Sequence, residues 1–322
     1  MTVGIGAIHT VVPDKLVAVG TLPEMALLDP ASADFVAGSG IDTVAVFDAT
    51  AAGNAELATM AATRLVRDLP GEPDVLIMVA PRAPDTLLGS DVCRVQADAE
   101  LAGTFAFTVD GLGCAGSSAA WALAGDLLRA QPARESVLIV HASLPAGVDR
   151  VRYPVTVIGD GGYAMTMVRG GRPALKAHRM ATDGTFHDLF HLDYKRSPWY
   201  EWAEVCASPD RYRFELAMHS RLRLSAMVDE VMAEAGLAKA NLKATLMQNV
   251  TASAYQFYES LLGLPIHPVC RDNLSRYGHL GAMDVVLNLQ RLIETGEVGT
   301  GDHVLVLNNS PVAAWAASLW EF

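Results

Sequence analysis

The stretch from Thr104 to Leu128, Thr-Phe-Ala-Phe-Thr-Val-Asp-Gly-Leu-Gly-Cys-Ala-Gly-Ser-Ser-Ala-Ala-Trp-Ala-Leu-Ala-Gly-Asp-Leu-Leu, passes from an apolar strand-like run to an alanine-rich helical one. Gly111 and Gly113 mark the change, and a strand that turns this sharply into a helix belongs to an α/β fold. Cys114 opens the helical run. At that place the unpaired N–H groups and the positive end of the macrodipole favour a thiolate, bringing the thiol below its usual pKa of about 8.5. Gly111, Gly113 and Gly116 let the backbone turn and let a substrate approach. The competing reading is a buried, inert cysteine.

The rest of the chain alternates in the same way. Val75–Ala80, Val137–His141 and Val304–Leu307 are short runs rich in Val, Ile and Leu, as strands covered on both faces should be. Helical spacing covers 55–69, 117–130, 217–235, 252–262 and 283–294. From about Ala174 the order of elements repeats that of the first half, and no low-complexity linker separates the two. Between Thr185 and Phe214 the pattern breaks into an aromatic, histidine-rich excursion that reads as a surface loop or pocket cap, with Phe186, His187, His191, Trp199, Tyr200 and Trp202 as candidates to shape an acceptor or acyl site. The alternative is a dimer contact or a self-packed loop.

With 322 residues, of which 51% are hydrophobic, the chain can bury a large core. No apolar run is long enough to span a bilayer and no basic n-region precedes an apolar segment at the start, so a cytoplasmic protein is expected. Cys93, Cys114, Cys206 and Cys270 are widely spaced, which suits reduced thiols rather than disulfides or zinc. A net charge of −12 argues against a nucleic-acid groove, which would need a basic stripe. It also gives no general attraction to an acidic carrier protein or coenzyme A, so such a partner would need a local basic cluster, for which Arg211, Arg213, Arg221 and Arg223 are candidates.

Five segments in order carry a resemblance to a known family: Ile5-Gly-Ala-Ile-His-Thr-Val-Val-Pro13; Val75–Ala80 followed by Val92-Cys-Arg-Val-Gln96; the Cys114 elbow; Ile158-Gly-Asp-Gly-Gly162; and Arg276-Tyr-Gly-His-Leu-Gly-Ala-Met-Asp284. The chain resembles the ketoacyl-ACP synthase III family. That resemblance implies a thiolase-like duplicated α/β/α/β/α sandwich, with one half over 1–172 carrying the nucleophile and the other over 173–322 carrying a catalytic histidine. It also implies a homodimer.

Departures from the family pattern bear on function. Condensing members use Cys, His and Asn, the last two holding a thioester carbonyl during decarboxylation. Here the histidine position falls on Gln248, or on Asn249 if the register slips by one, and the asparagine position falls on His279. One titratable imidazole therefore remains beside the thiol, and it suits group transfer better than decarboxylation. Asp284 could orient His279, although an exposed carboxylate is the reading we weigh more heavily; Asn308 is a second possible support. The Trp and Arg that grip the adenine of coenzyme A are missing from Ala33-Asp-Phe-Val-Ala-Gly-Ser-Gly-Ile41. Leu88 stands at the position of the family's bulky pocket gate. In Leu307-Asn-Asn-Ser-Pro311, the N–H of Asn309 could join that of Cys114 in holding an oxyanion; the same residues also make an ordinary turn.

The resemblance thus implies an acyltransferase of natural-product biosynthesis. Cys114 and His279 would be its catalytic pair, and Gln248, Asn249, Leu88, Trp199 and Trp202 would shape its substrate site. The donor would be an acyl carrier protein phosphopantetheine thioester, a polyketide synthase carrier domain or an acyl-CoA, with no bound cofactor or metal. The acceptor would be the hydroxyl or amine of a sugar or aminocyclitol. The alternatives are a decarboxylating starter-unit synthase and a non-catalytic partner of a condensing enzyme, which an intact cysteine elbow speaks against.

Overall fold

The computed structural model describes residues 2–47 and 53–322. Its main strands are β1 (Val3–Val11), β2 (Val75–Val79), β3 (Phe105–Val109), β4 (Ser136–Ser143), β5 (Gly161–Arg169), β6 (Ala174–Thr182), β7 (Leu242–Met247), β8 (His303–Ser310) and β9 (Ala314–Glu321). They are linked in the order β7-β8-β9-β6-β1-β5-β4-β2-β3. β6 and β1 touch only where Gly4 faces Ala174, so the row is two sheets joined at a seam. In the first, β2 runs parallel to β3 and β4, β5 is antiparallel to β4, and β1 closes the edge. The second repeats this plan without a counterpart to β3: β7 is parallel to β8, β9 is antiparallel to β8, and β6 closes the edge. The repeat that the order of elements suggested is present in the pairing of the strands.

The helices are α1 (Pro30–Ala37), α2 (Asn54–Val66), α3 (Asp91–Asp98), α4 (Gly116–Ala130), α5 (Ala217–Glu234), α6 (Ala252–Leu262), α7 (Pro268–Tyr277) and α8 (Asp284–Thr295). α2 covers the outer face of the first sheet and α5 the outer face of the second, while α4 and α8 lie between the sheets. The result is an α/β/α/β/α sandwich. The first half of α4 is enclosed between the sheets and its sequence reflects this, while Leu123, Asp126 and Arg129 further along reach solvent. Ser117, Ser118, Ala119, Ala120, Ala124 and Gly125 are buried along it and let the strands come close. Trp121, on the same helix, meets Trp320 of β9 edge to face at 5.2 Å, both fully buried.

β2 is buried along its whole length, and so is β4 from Val137 onward, which is why continuous apolar runs marked them in the sequence. The helix expected at 252–262 is the observed α6, with Thr251 accepting the Ala254 N–H as its cap. The parallel strands β2, β3, β7 and β8 end close together, and the residues just beyond or at these ends, Arg82, Asp110, Gln248 and Asn309, line two cavities around Cys114. No helix among the described residues is long and apolar enough to cross a membrane.

Because α4 both fills the centre and carries the elbow, Trp121→Ala is expected to cost about 3–5 kcal/mol of stability. A guanidinium titration of the purified variant checks this, and a loss below 1 kcal/mol would show that the helix is not held by that contact.

Candidate active site

Cys114 sits on a single tight turn, Gly113–Ala115, from which α4 continues. The turn needs glycine at 113: its φ is +50°, and a Cβ there would lie 2.5 Å from Ser310 Oγ. Asn308 of β8 fixes the turn from the other half, its Nδ2 donating to the Cys114 carbonyl at 2.8 Å and to Ser118 Oγ at 3.3 Å. Asn308 therefore supports the elbow rather than His279.

His279 comes from the segment between α7 and α8. Its N–H donates to the Val157 carbonyl and its carbonyl accepts from Gly159, so the Gly-Asp-Gly turn of the first half clamps the histidine backbone of the second. Its Nε2 lies 3.1 Å from Cys114 Sγ. Nδ1 lies 2.5 Å from Asp284 Oδ2. Asp284, weighed above as an exposed carboxylate, is fully buried at the start of α8 and also accepts the N–H groups of Leu280 and Asn249 at 2.8 and 2.9 Å. With three donors on one buried carboxylate, Nδ1 must carry a proton, which leaves Nε2 to face the sulfur.

Burial by itself would raise the Cys114 thiol, but His279, aided by Arg82 and Arg152, outweighs it and brings the pKa down to about 7. Burial would lower His279, and here Asp284 and the Cys114 thiolate outweigh it, pushing the imidazole up to about 9. The order of these two values makes the resting state a thiolate–imidazolium pair at neutral pH. His279 is thus not a free base until the thiolate is consumed.

Two cavities share Cys114. The first, about 350 Å³, is lined by Phe35, Tyr212, Arg213, Gln248, Phe257, Asn309 and neighbouring apolar side chains, together with His279. The second, about 250 Å³, is lined by Arg82, His141, Ser143, Arg152, Phe190, Gly281 and others. Ser310 stands in both, buried, with its hydroxyl unpartnered.

The other residues singled out from the sequence fare unevenly. Gln248 is on the first cavity wall, one amide hydrogen donated to the Asn309 carbonyl at 3.2 Å. Asn249 is not: its side-chain oxygen accepts from Tyr255 and Asn288, both at 2.8 Å, in a buried network beneath Asp284. Asn309 faces the first cavity, with Nδ2 donating to Tyr258 Oη at 2.7 Å. Leu88 is fully exposed and lines neither cavity around Cys114. Trp199 is 62% exposed and stacks edge-on with Tyr200, while Trp202 donates Nε1 to the Ser197 carbonyl; neither reaches the cavities at Cys114. The excursion contributes Phe190, His191, Leu192 and Glu204 to the second cavity and Tyr212 and Arg213 to the first. Phe35, in the segment lacking the adenine-gripping residues, does line the first cavity, edge-on to Tyr153. Sequence reading missed Arg82, Arg152, His141, Ser143 and Ser310. A charged residue shortly after an apolar strand, behind Pro81, was the one available signal for Arg82.

The sandwich, its strand order and the cysteine elbow define a thiolase-fold protein. Residues 232–322 match the family model described as 3-oxoacyl-[acyl-carrier-protein (ACP)] synthase III C terminal. The chain is 24% identical over 270 residues to beta-ketoacyl-[acyl-carrier-protein] synthase III of Aquifex aeolicus, covering 83% of each. Among solved structures, 3-oxoacyl-(acyl carrier protein) synthase III from Pseudomonas aeruginosa PAO1 superposes with a TM-score of 0.80 at 18% identity, covering 100% of this chain and 98% of that one. ChlB3, described as an acyltransferase, superposes with a TM-score of 0.84 at 23% identity, with the same coverage. The chain is related to the ketoacyl-ACP synthase III proteins, and its C-terminal part, with His279 and Asp284, falls within the matched model.

The rate of Cys114 alkylation by iodoacetamide, read peptide by peptide in a mass spectrometer, is expected to be half-maximal near pH 7. Below that pH the thiolate is protonated and the rate falls. His279→Ala removes the opposing cation and moves the midpoint up by more than one pH unit. Cys270, buried and pushed up to about 12, should stay silent throughout. A wild-type midpoint at the ordinary thiol value would refute the ion pair.

Proposed function

We propose that the protein is an acyltransferase working through a Cys114 acyl-enzyme, taking its acyl group from a carrier-protein or coenzyme A thioester and passing it to a hydroxyl or amine. The observation that carries this reading is the line Cys114–His279–Asp284. The Cys114 thiolate attacks the thioester carbonyl, and the tetrahedral intermediate expels the donor's thiolate, which takes the proton from the His279 imidazolium. Acylation consumes the sulfur's charge, so one of the causes that raise His279 disappears. Because Asp284 keeps the remaining proton on Nδ1, Nε2 now presents a lone pair to the cavity. It accepts the proton of the incoming hydroxyl or amine as that group attacks the acyl carbonyl, and collapse returns the Cys114 thiolate and the imidazolium.

The same fixed tautomer argues against decarboxylative condensation. That reaction needs two donors on one carbonyl oxygen, and losing one such donor typically costs about 10²–10³ in rate. In the acyl-enzyme His279 offers an acceptor, and Gln248 already spends one amide hydrogen on Asn309. The first cavity, with Phe35 and Arg213 on its wall, suits the donor's pantetheine arm and afterwards the acceptor. The backbone N–H of Cys114, at a helix start, serves the oxyanion, with Asn309 or Ser310 beside it. A sugar or aminocyclitol acceptor, natural-product biosynthesis, a cytoplasmic setting and a homodimer complete the reading by analogy with the family. Exposed Leu87 and Leu88 are consistent with an interface there.

Incubation with an accepted thioester should add one acyl mass, absent in Cys114→Ala. His279→Ala should acylate slowly and transfer hardly at all. Asp284→Asn should lower transfer by up to roughly 10⁴-fold, because the imidazole loses its fixed tautomer; it should also move the acid limb of the pH profile upward, since a less basic His279 stabilises the thiolate less. Rapid release of carbon dioxide from malonyl thioester with formation of a β-ketoacyl product would overturn the reading in favour of condensation.

A further inference from the structure

Two guanidinium groups face the second cavity, and only one of them has a carboxylate partner. Arg152 is 7% exposed and paired with Glu204, yet its Nε has no partner. Arg82 has neither: its Nε and Nη2 are buried without a hydrogen-bond partner, and among the described residues no carboxylate lies within ion-pair distance. The other acidic side chain on the wall, Asp110, is exposed at the rim, with one oxygen accepting the Gly111 N–H. The negative charges that act on Arg82, the Cys114 thiolate and Asp284, also serve His279, and acylation removes the first of them, so its buried, unspent donors call for another anion.

Gly281 shows where that something fits. A Cβ built there would lie 3.3 Å from His141 Nε2, 3.5 Å from Ser143 Oγ and 3.8 Å from Arg82 Nη2, so three polar atoms surround a point that glycine leaves open. His141 is buried and held neutral, with Nδ1 directed at the Val79 carbonyl at 3.0 Å. Its proton is therefore on Nδ1, and its unpartnered Nε2 is an acceptor. Ser143 Oγ donates to the Gly159 carbonyl at 3.3 Å, which leaves its oxygen as a further acceptor. The wall thus offers guanidinium donors for an anionic oxygen, with an acceptor able to hold a water or hydroxyl alongside.

This cavity shares Cys114 with the first but differs from it in character, and a group bonded to Sγ can extend into it while the first cavity remains open. We infer that the second cavity binds the acyl group and that Arg82, with Arg152, recognises a carboxylate on it, so that the favoured donors are thioesters of short dicarboxylic acids. The inference rests on the acyl-enzyme reading above for where the acyl group sits, and its tests separate the two.

In the first test, intact mass follows acylation of Cys114 by malonyl- and succinyl-N-acetylcysteamine against their acetyl and butyryl counterparts. The carboxylate-bearing thioesters should react faster by roughly 10- to 100-fold, the worth of a hydrogen bond to a charged group. In Arg82→Gln that ratio should fall towards one, and Arg82→Lys, which keeps the charge without the fork, should retain part of it. The second test needs no acyl transfer. The ratio of Cys114 alkylation by iodoacetate to that by iodoacetamide should fall at least about tenfold in Arg82→Gln, and free malonate should protect the unmodified protein from iodoacetamide. Equal acylation by both classes of thioester overturns the assignment. If malonate still protects in that case, the carboxylate belongs to the acceptor. Ratios unchanged in a correctly folded Arg82→Gln or Arg82→Lys also overturn it. Failure of every thioester to acylate Cys114, with the alkylation ratio still falling in Arg82→Gln, would instead remove the covalent reading and leave the carboxylate site standing.

Discussion

The buried carboxylate of Asp284 is the interaction on which the rest of the site depends. One oxygen receives the Leu280 N–H; the other receives the Asn249 N–H and His279 Nδ1. These three donors belong to the segment before α8, the end of β7 and the imidazole itself, so a single negative charge sets the ring's orientation, its tautomer and its basicity at once. Removing that charge would leave His279 buried with little reason to be protonated, and Cys114 would then feel chiefly its own desolvation. The network of Asn249, Asn288 and Tyr255 beneath it is neutral and fully in the interior. Its effect is to hold the Asn249 backbone where its N–H meets the carboxylate. What the sequence suggested as a substrate contact is the floor under Asp284 and His279.

The pair of Cys114 and His279 is also a joint between two halves. Cys114 hangs from the first sheet through α4, and His279 from the second through α7 and α8. Their separation is set by contacts that cross the seam: Asn308 to the Cys114 carbonyl, and the Val157 and Gly159 backbone to that of His279. Two sheets of closely similar plan, one a strand shorter, meet where Gly4 faces Ala174 and bring the ends of their parallel strands to one place, as open α/β sheets tend to do with their binding crevices.

Much of this was legible because its physics is local. Strands covered on both faces must be apolar throughout, a helix between sheets must be small-sided, and a nucleophile at a helix start needs glycines before it; each leaves a mark in consecutive residues. His279 could be found from its register within Gly278-His279-Leu280-Gly281. Asp284 was harder, since five positions of ideal helix would turn it away from His279. In fact the helix begins at Asp284, and the turn over Gly281–Met283 brings its carboxylate back towards the ring. Arg82 illustrates what sequence does not carry, because an arginine after a strand looks the same whether solvent or an empty cavity lies in front of it. Nor does an aromatic-rich segment reveal which rings point inward: Trp199 and Trp202 pack within their own loop while Phe190 reaches the site.

One sulfur standing between two chambers has a kinetic consequence. If the acyl group settles in one, the departing donor arm and the arriving acceptor must use the other in turn, and they cannot be present together. Such a protein has a revolving door rather than two entrances. Donor in excess would occupy the acyl-enzyme's open chamber and exclude the acceptor, so flux would pass through a maximum as donor rises, and the ratio of the two substrates would govern throughput more than the abundance of either.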